Sequence, residues 1–373
     1  MPWPRLCVVG PLPPPSGGMA NQCEQLVRFL RIEGVEVDFV RTNAPYWPSW
    51  IGGVPLVRAG LRMVPYLVAL WRSLGKAQVV HVFANSGWAW HLLAAPALAI
   101  ARVRGVPAIV NYRGGLAGEF FAVAPPHVLR ALAGATQRVT PSAFLVRVFA
   151  QYGLSADIIP NIIDLSRFGA QPLRAVGGTP HLIVTRNLET IYDIPTALRA
   201  FAGLRKQHPG ARLTVAGSGP ELVALQQLAA ELGVSDAVHF AGRIDNANIA
   251  ALYASADIML NPSTADNMPI SILESLACGV PVVSTNAGGI PDLVTHEVTA
   301  LLVSVGDADA MANAARRLLD DPVLSQRIHD RGLDEVLRYA WPQVREQWRA
   351  AYRRAVEVGA EQSKIGHEPS RPR

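Results

Sequence analysis

Cysteine is scarce in this chain: Cys7, Cys23 and Cys278 are the only three in 373 residues, and they lie far apart. That spacing excludes a disulfide framework and a cysteine-built zinc site, and it fits a reducing cytoplasm. Long apolar runs are also missing. The longest, residues 88–101, covers 14 positions and is broken by His91, whereas a spanning helix needs about 20. A secretory leader is not expected, because residues 6–9 run straight into Gly10 and a cluster of prolines. Acid is absent over a long stretch. Between Asp38 and Glu119 there is no carboxylate, yet Arg41, Arg58, Arg62, Arg72, Lys76, Arg102, Arg104 and Arg113 fall there. Residues 1–165 hold 14 Lys+Arg and 7 Asp+Glu, against 20 and 22 in the remainder. A first half of net +7 beside a second of net −2 attracts anionic partners to one end only. No nucleic-acid motif accompanies the charge, so an anionic membrane surface or a phosphorylated lipid acceptor fits better.

Two metal patterns fail on inspection. His296-Glu297 lacks the second histidine of H-E-x-x-H. Asp307-Ala308-Asp309 spells D-x-D but opens a helical pattern over 310–319, where acids cap and complement the dipole. No metal residues are assigned.

A chain of this length, half hydrophobic, is too long for one ordinary core and predicts two domains. Short apolar runs alternate with helical spacing along it, the pattern of a parallel α/β sheet. Residues 6–9 read as a strand. Gly17-Gly18 follow in a loop that opens a helix and brings backbone N–H groups towards an anion. The dinucleotide spacing G-x-G-x-x-G is absent. Residues 54–74 are apolar but carry Arg58 and Arg62 one turn apart, after Tyr46, Trp47 and Trp50. They form either an amphipathic helix on a membrane surface or an ordinary outer helix. Residues 78–83 read as a strand, residues 88–100 as a core helix, and residues 108–112 as a strand leading to Arg113-Gly114-Gly115.

The stretch 257–289 is the most informative. It reads as strand, loop, helix, strand and glycine turn, a βαβ unit whose strand ends point at one site. Pro269 suits the first helical turn, with Asp266 or Asn267 as its cap. Ile272, Leu273, Leu276 and Ala277 share one face, and Ser271, Glu274, Ser275 and Cys278 the other. That second face has no Lys, Arg or Gln, so it is closely approached by something. Glu274 either meets donors of a ligand, such as hydroxyls, or pairs with a nearby arginine.

Pro262-Ser263, Asp266, Leu273-Glu274 and Ala277-Cys278-Gly279-Val280-Pro281 resemble the donor-sugar motif of family 4 glycosyltransferases. The first acid is Asp rather than the usual Glu, and Asn-Met-Pro follows where Gly-Phe-Gly is common. The resemblance implies a GT-B fold: α/β, with two Rossmann-like doubly wound domains facing across a cleft. It implies an acceptor-binding domain over 1–166, a hinge at 167–179 and a nucleotide-sugar domain over 180–338. A helix at 339–358 would pack back on the first domain, leaving a flexible tail at 359–373.

By the same resemblance, Glu274 accepts from the donor ribose. Asp266 and the backbone of Asn267, Met268, Pro269 and Ile270 hold sugar and diphosphate. Arg186 grips the diphosphate, and Gly17, Gly18, Gly288 and Gly289 bring backbone near it. Backbone beside Arg243 meets the base. Arg186, Asp266 and Glu274 are the catalytic set. The family's lysine about five residues after Arg186 is missing; Glu189, Ile191, Tyr192 and Asp193 fill that stretch. Many members place a histidine where this chain has Arg113, and Arg113 and His81 are assigned to the acceptor. Arg113 contacts a phosphate or pairs with Glu119; it does not serve as a base.

The expectation is thus a retaining hexosyltransferase without metal or other cofactor. It would use a UDP- or GDP-linked donor and a glycan or lipid-linked acceptor, in polysaccharide or glycolipid assembly, in the cytoplasm or peripheral on the inner membrane face. A sugar-nucleotide epimerase of the same fold, or a degenerate transferase acting as a binding subunit, are the alternatives.

Overall fold

The computed structural model describes residues 3–14, 17–44, 55–173, 179–245 and 248–365, with backbone alone at 55–61 and 362–365. The chain divides into two compact units. Unit 1 takes Met1–Ile162 and Val344–Arg373; unit 2 takes Ile163–Gln343.

Unit 1 is a parallel sheet of β1 (Leu6–Gly10), β2 (Val37–Arg41), β3 (Val79–Ala84), β4 (Ala108–Tyr112), β5 (Gln137–Thr140) and β6 (Asp157–Ile158). Unit 2 repeats the plan with β7 (His181–Val184), β8 (Arg212–Ala216), β9 (Val238–Gly242), β10 (Ile258–Asn261), β11 (Val282–Thr285) and β12 (Leu301–Val303). The orders are β2-β1-β3-β4-β5-β6 and β12-β11-β10-β7-β8-β9. Each order reverses once, between β1 and β3 and between β7 and β10, and doubly wound sheets take ligands at such reversals. Helices cover both faces, so the central strands are apolar without alternation; β1, β7 and β10 are buried throughout.

Tyr112, Phe121 and Phe149 meet edge to face or tilted in the unit 1 core, with centroids 5.2–5.5 Å apart. Phe201, Leu213, Val215 and Met311 are fully buried in unit 2. Each such side chain contributes about 1.5–3 kcal/mol.

Several expectations shift. Residues 88–100 are not one core helix. A π-helical turn, Trp90–Ala94, leads into the helix Ala95–Val103, and Trp88 is 78% exposed while Trp90 is buried. Pro96 is the cause: it has no N–H to give to residue 92, so the ladder widens just before it. The helix Pro55–Leu74 buries Tyr66, Leu70 and Leu74 and exposes Val64, Val68 and Trp71. Arg62 turns to the Thr42 carbonyl at 2.8 Å. The aromatic trio at 46, 47 and 50 and the Arg58 side chain lie outside the described residues.

The unit boundary falls at Ile162/Ile163, ahead of the expected hinge. Phe168 is buried with Ile183 and Tyr253 in unit 2, and Gln171 N donates to the Cys278 carbonyl at 3.0 Å. Residues 174–178, which hold Gly177 and Gly178, are not described. The last helix, Trp341–Ile365, runs through the first seven positions assigned to a tail. Its Val344, Trp348, Ala351, Tyr352 and Ala355 are buried, every third or fourth residue, as one face of a helix requires.

Candidate functional site

The ends of β7, β10 and β11 lie side by side because the three strands are parallel neighbours. A polar floor ties them. Asn261 Nδ2 donates to Ser284 Oγ at 2.9 Å, Ser263 Oγ to Asn261 Oδ1 at 3.2 Å, and Thr285 Oγ1 to the Ser263 carbonyl at 2.6 Å. Fully buried hydroxyls and amides have to be satisfied this way.

Arg186 rises from the end of β7 onto this floor. Its guanidinium donates to Ser263 Oγ at 3.2 Å, lies 4.5 Å from the Tyr192 ring centroid and forms an ion pair with Asp266. Burial pushes its pKa down, and Tyr192, Tyr253 and Glu274 push it back up. Tyr192 stands in the stretch where the family's lysine was expected, so an aromatic face replaces the second cation there.

Asp266 does not cap the helix. Its Oδ1 accepts from Asn267 N at 2.8 Å, and its other oxygen meets Arg186. The helix, Ile270–Ala277, starts after Pro269, with no side-chain cap. The competing arginine, 80 positions upstream, took the carboxylate. In the first turn Ser271 Oγ is buried and has no partner. The Gly288 turn closes against the same loop. Gly288 has φ +54°, and a Cβ there would run into the Asp266 carbonyl, while Gly289 N donates to that carbonyl at 2.9 Å. Only glycine satisfies both demands.

Glu274 stands half-buried on the Ile270–Ala277 helix. Its Oε2 accepts from Tyr253 OH at 3.0 Å, and that hydroxyl also meets Thr185 Oγ1 at 2.7 Å and the Ser271 carbonyl at 3.2 Å. Burial raises the carboxyl from 4.5 to about 7; the Tyr253 bond and the charges of Arg167 and Arg186 pull the other way. Of the two alternatives for Glu274, a direct arginine pair is not the one formed with Arg186, which pairs with Asp266; Arg167 and Arg186 act on Glu274 through charge. The structure therefore brings Arg186, Asp266 and Glu274 together, and adds Tyr253, Tyr192 and Arg167. Sequence reading missed these three. A signal existed for Tyr253 alone: a tyrosine among apolar residues must find a partner for its hydroxyl.

Asn267, Met268, Pro269 and Ile270 line the loop and helix start, and Asn267, Met268 and Pro269 are buried. Arg243 is exposed just beyond β9. In unit 1, Gly17 and Gly18 open the helix Gly18–Ile32 with no side-chain cap. Arg113 is half-buried at the end of β4, and the pairing with Glu119 does not occur. His81 is fully buried inside β3 with both ring nitrogens bonded, so no acceptor reaches it. Asp307 caps the helix Ala308–Asp320 through Ala310 N at 2.8 Å. Among the described residues no cluster of three or more His, Cys, Asp or Glu could hold a metal.

Two reversals, a polar floor and a charged cluster define a two-module α/β scaffold built to take a ligand at its strand ends. Family models match both modules: glycosyltransferase family 4 over residues 16–167, and glycosyl transferases group 1 over residues 170–334. The chain belongs to this family of glycosyltransferases, with the GT-B α/β fold. It is 35% identical over 155 residues to N-acetyl-alpha-D-glucosaminyl L-malate synthase of Bacillus anthracis, a match spanning 42% of this chain and 40% of that protein. It is 28% identical over 344 residues to a GDP-mannose-dependent alpha-(1-6)-phosphatidylinositol monomannoside mannosyltransferase of Mycobacterium tuberculosis, covering 85% of this chain and 89% of the relative. Sucrose-phosphate synthase from Thermosynechococcus elongatus superposes with TM-score 0.76 at 20% identity, over 95% of this chain and 100% of that one.

Proposed function

We propose that this protein moves a hexose from a UDP- or GDP-linked donor to an acceptor hydroxyl, with retention at the anomeric carbon, in glycolipid or polysaccharide assembly. The convergence of Arg186, Asp266 and Glu274 at the reversal of the unit 2 sheet carries this reading. Glu274 has one oxygen held by Tyr253 and the other available to ribose hydroxyls. The uncapped helix start with Ser271 Oγ offers donors to the diphosphate, and the turn at Gly288-Gly289 brings backbone near it. Arg186 meets the charge that gathers on the leaving group, in place of a metal. An arriving diphosphate competes with Asp266 for Arg186 and frees the carboxylate to accept from sugar hydroxyls. Oxygens of the leaving phosphate take the acceptor proton. The relatives support the donor class: one is named for GDP-mannose and one for an N-acetylglucosaminyl product.

The test is a transfer and binding series with UDP- and GDP-sugars. The matching donor raises the melting temperature of wild type. Glu274→Ala lowers transfer by about 100-fold or more, equal to roughly 2.7 kcal/mol of transition-state stabilisation, with unchanged circular dichroism. Undiminished transfer in that variant would overturn the assignment, and conversion of donor without acceptor would favour the epimerase.

A membrane reading of unit 1 rests on a separate observation. Val64, Val68 and Trp71 are 64%, 43% and 47% exposed on one helix. Val68 and Trp71 border an apolar groove with Pro96 and Ile100, rimmed by Arg72, and Arg104 stacks 4.2 Å over Trp71. We assign this face to anionic lipid at the inner membrane surface. Among the described residues no helix is long and apolar enough to cross a membrane. Phosphatidylglycerol vesicles should sediment the wild type severalfold better than they do Trp71→Ser. Equal recovery with neutral and anionic vesicles would remove the assignment.

A further inference from the structure

Among the described residues, Arg113 is a half-buried cation with no carboxylate beside it, and its side-chain partners there are the Asn111 amide, with Nη1 donating to Oδ1 at 3.3 Å, and the Phe83 ring at 5.5 Å. Its other guanidinium nitrogens are neither bonded nor sealed from solvent. Burial lowers its pKa to about 10. An uncompensated buried charge is costly, and here it is held in place by a built relay.

Asn111 gives its amide N–H to His81 Nε2 at 3.1 Å, so the ring proton sits on Nδ1 and goes to Tyr352 OH at 2.8 Å. The His81 ring stacks on Phe83 with centroids 4.7 Å apart, and Trp348 packs on it at 4.6 Å. Burial and the Arg113 charge push the His81 pKa down to about 3, so the ring is neutral and its tautomer fixed. The strand ends are locked as well. A Cβ at Gly114 would lie 2.6 Å from both Asn85 Oδ1 and Ser86 Oγ, so the loop after β4 lies directly on the loop after β3. A planar, always-charged fork that is aimed and left open is a receptor for oxyanions.

We propose that Arg113 binds an anionic group of the acceptor, a phosphate or a carboxylate, and that Asn111, His81 and Tyr352 are positioning residues that aim it. This rests on the reading of unit 1 as the acceptor module. It makes Arg113 a specificity determinant: acceptors lacking the anion are poor substrates.

The test needs no sugar transfer, so it stands apart from the Glu274 experiment. Full-length wild type, Arg113→Gln, Arg113→Lys, Arg102→Gln and Tyr352→Phe are titrated calorimetrically with inorganic phosphate and, separately, with succinate. A phosphate or succinate affinity that falls about tenfold or more in Arg113→Gln, yet less than about twofold in Arg102→Gln, where the arginine is exposed and has no place in either site, supports the proposal. Which anion shows it tells phosphate from carboxylate. Arg113→Lys should recover part of the affinity. Tyr352→Phe should weaken it about twofold to fivefold and move the His81 ring-nitrogen NMR shifts away from the protonated-Nδ1 pattern, which a merely structural tyrosine would not do. Binding of neither anion to wild type, or binding that is indifferent to Arg113, overturns the proposal.

Discussion

At the strand ends of unit 2 the charges answer one another. Arg186 has Asp266, and Glu274 has the Tyr253 hydroxyl and two cations at longer range. At the matching edge of unit 1, Arg113 has only an amide and an aromatic ring. Both modules are six-stranded parallel sheets with a single reversal, in different strand orders, and the contrast at those reversals is one of side chains. One edge is electrostatically complete before anything binds, and a ligand there has to exchange partners. The other is incomplete, and a ligand there supplies what is missing.

The largest test of that contrast removes the compensation in unit 2. Asp266→Ala leaves Arg186 with a floor of neutral groups and, at longer range, Glu274. With those side chains 11% and 15% exposed, the loss is expected near the low end for buried pairs, about 2–3 kcal/mol, read from chemical denaturation. The opposite sign is expected in unit 1. Arg113→Met discards an unpaired charge and should stabilise the protein by about 1 kcal/mol in the same assay. A loss of stability there would mean that the guanidinium is compensated, and the contrast would fail.

The finest test is pH. Glu274 titrates at about 7 in the fold against an ordinary 4.5. The fold thus favours the protonated acid. Its stabilising effect is complete below pH 4.5 and is lost as pH rises through 7, a swing of at most about 3 kcal/mol that Glu274→Gln should flatten. Donor binding runs the other way, because ribose hydroxyls need the carboxylate. Donor affinity in wild type should climb as pH passes 7 and stay level in Glu274→Gln.

What could be read from the residues follows from how local each feature is. The acid pair and the glycine turn lie within one βαβ unit, so spacing set the loop of Asp266 beside the turn of Gly288 with Glu274 on the helix between them, and the family pattern marked the two acids. Arg186 was found through the family pattern, and the sheet order then set β7 beside β10. The errors came from distant competition. Asp266 looks like a cap until an arginine 80 positions earlier claims it. His81 looks available until a helix from the far end of the chain places Trp348 and Tyr352 over it. Tyr253 signalled only that its hydroxyl needs a partner; which partners could not be read, because Thr185 and Glu274 come from two other elements.

The three thiols are buried and free, and burial drives them upward, Cys7 and Cys278 to about 12. At neutral pH they stay protonated and shielded, and so resist alkylation and oxidation. Native cysteines can therefore remain in place when a reporter is attached. One new surface cysteine on each half, conjugated to a fluorophore, would be the sole reactive handle, ready for following substrate capture by energy transfer.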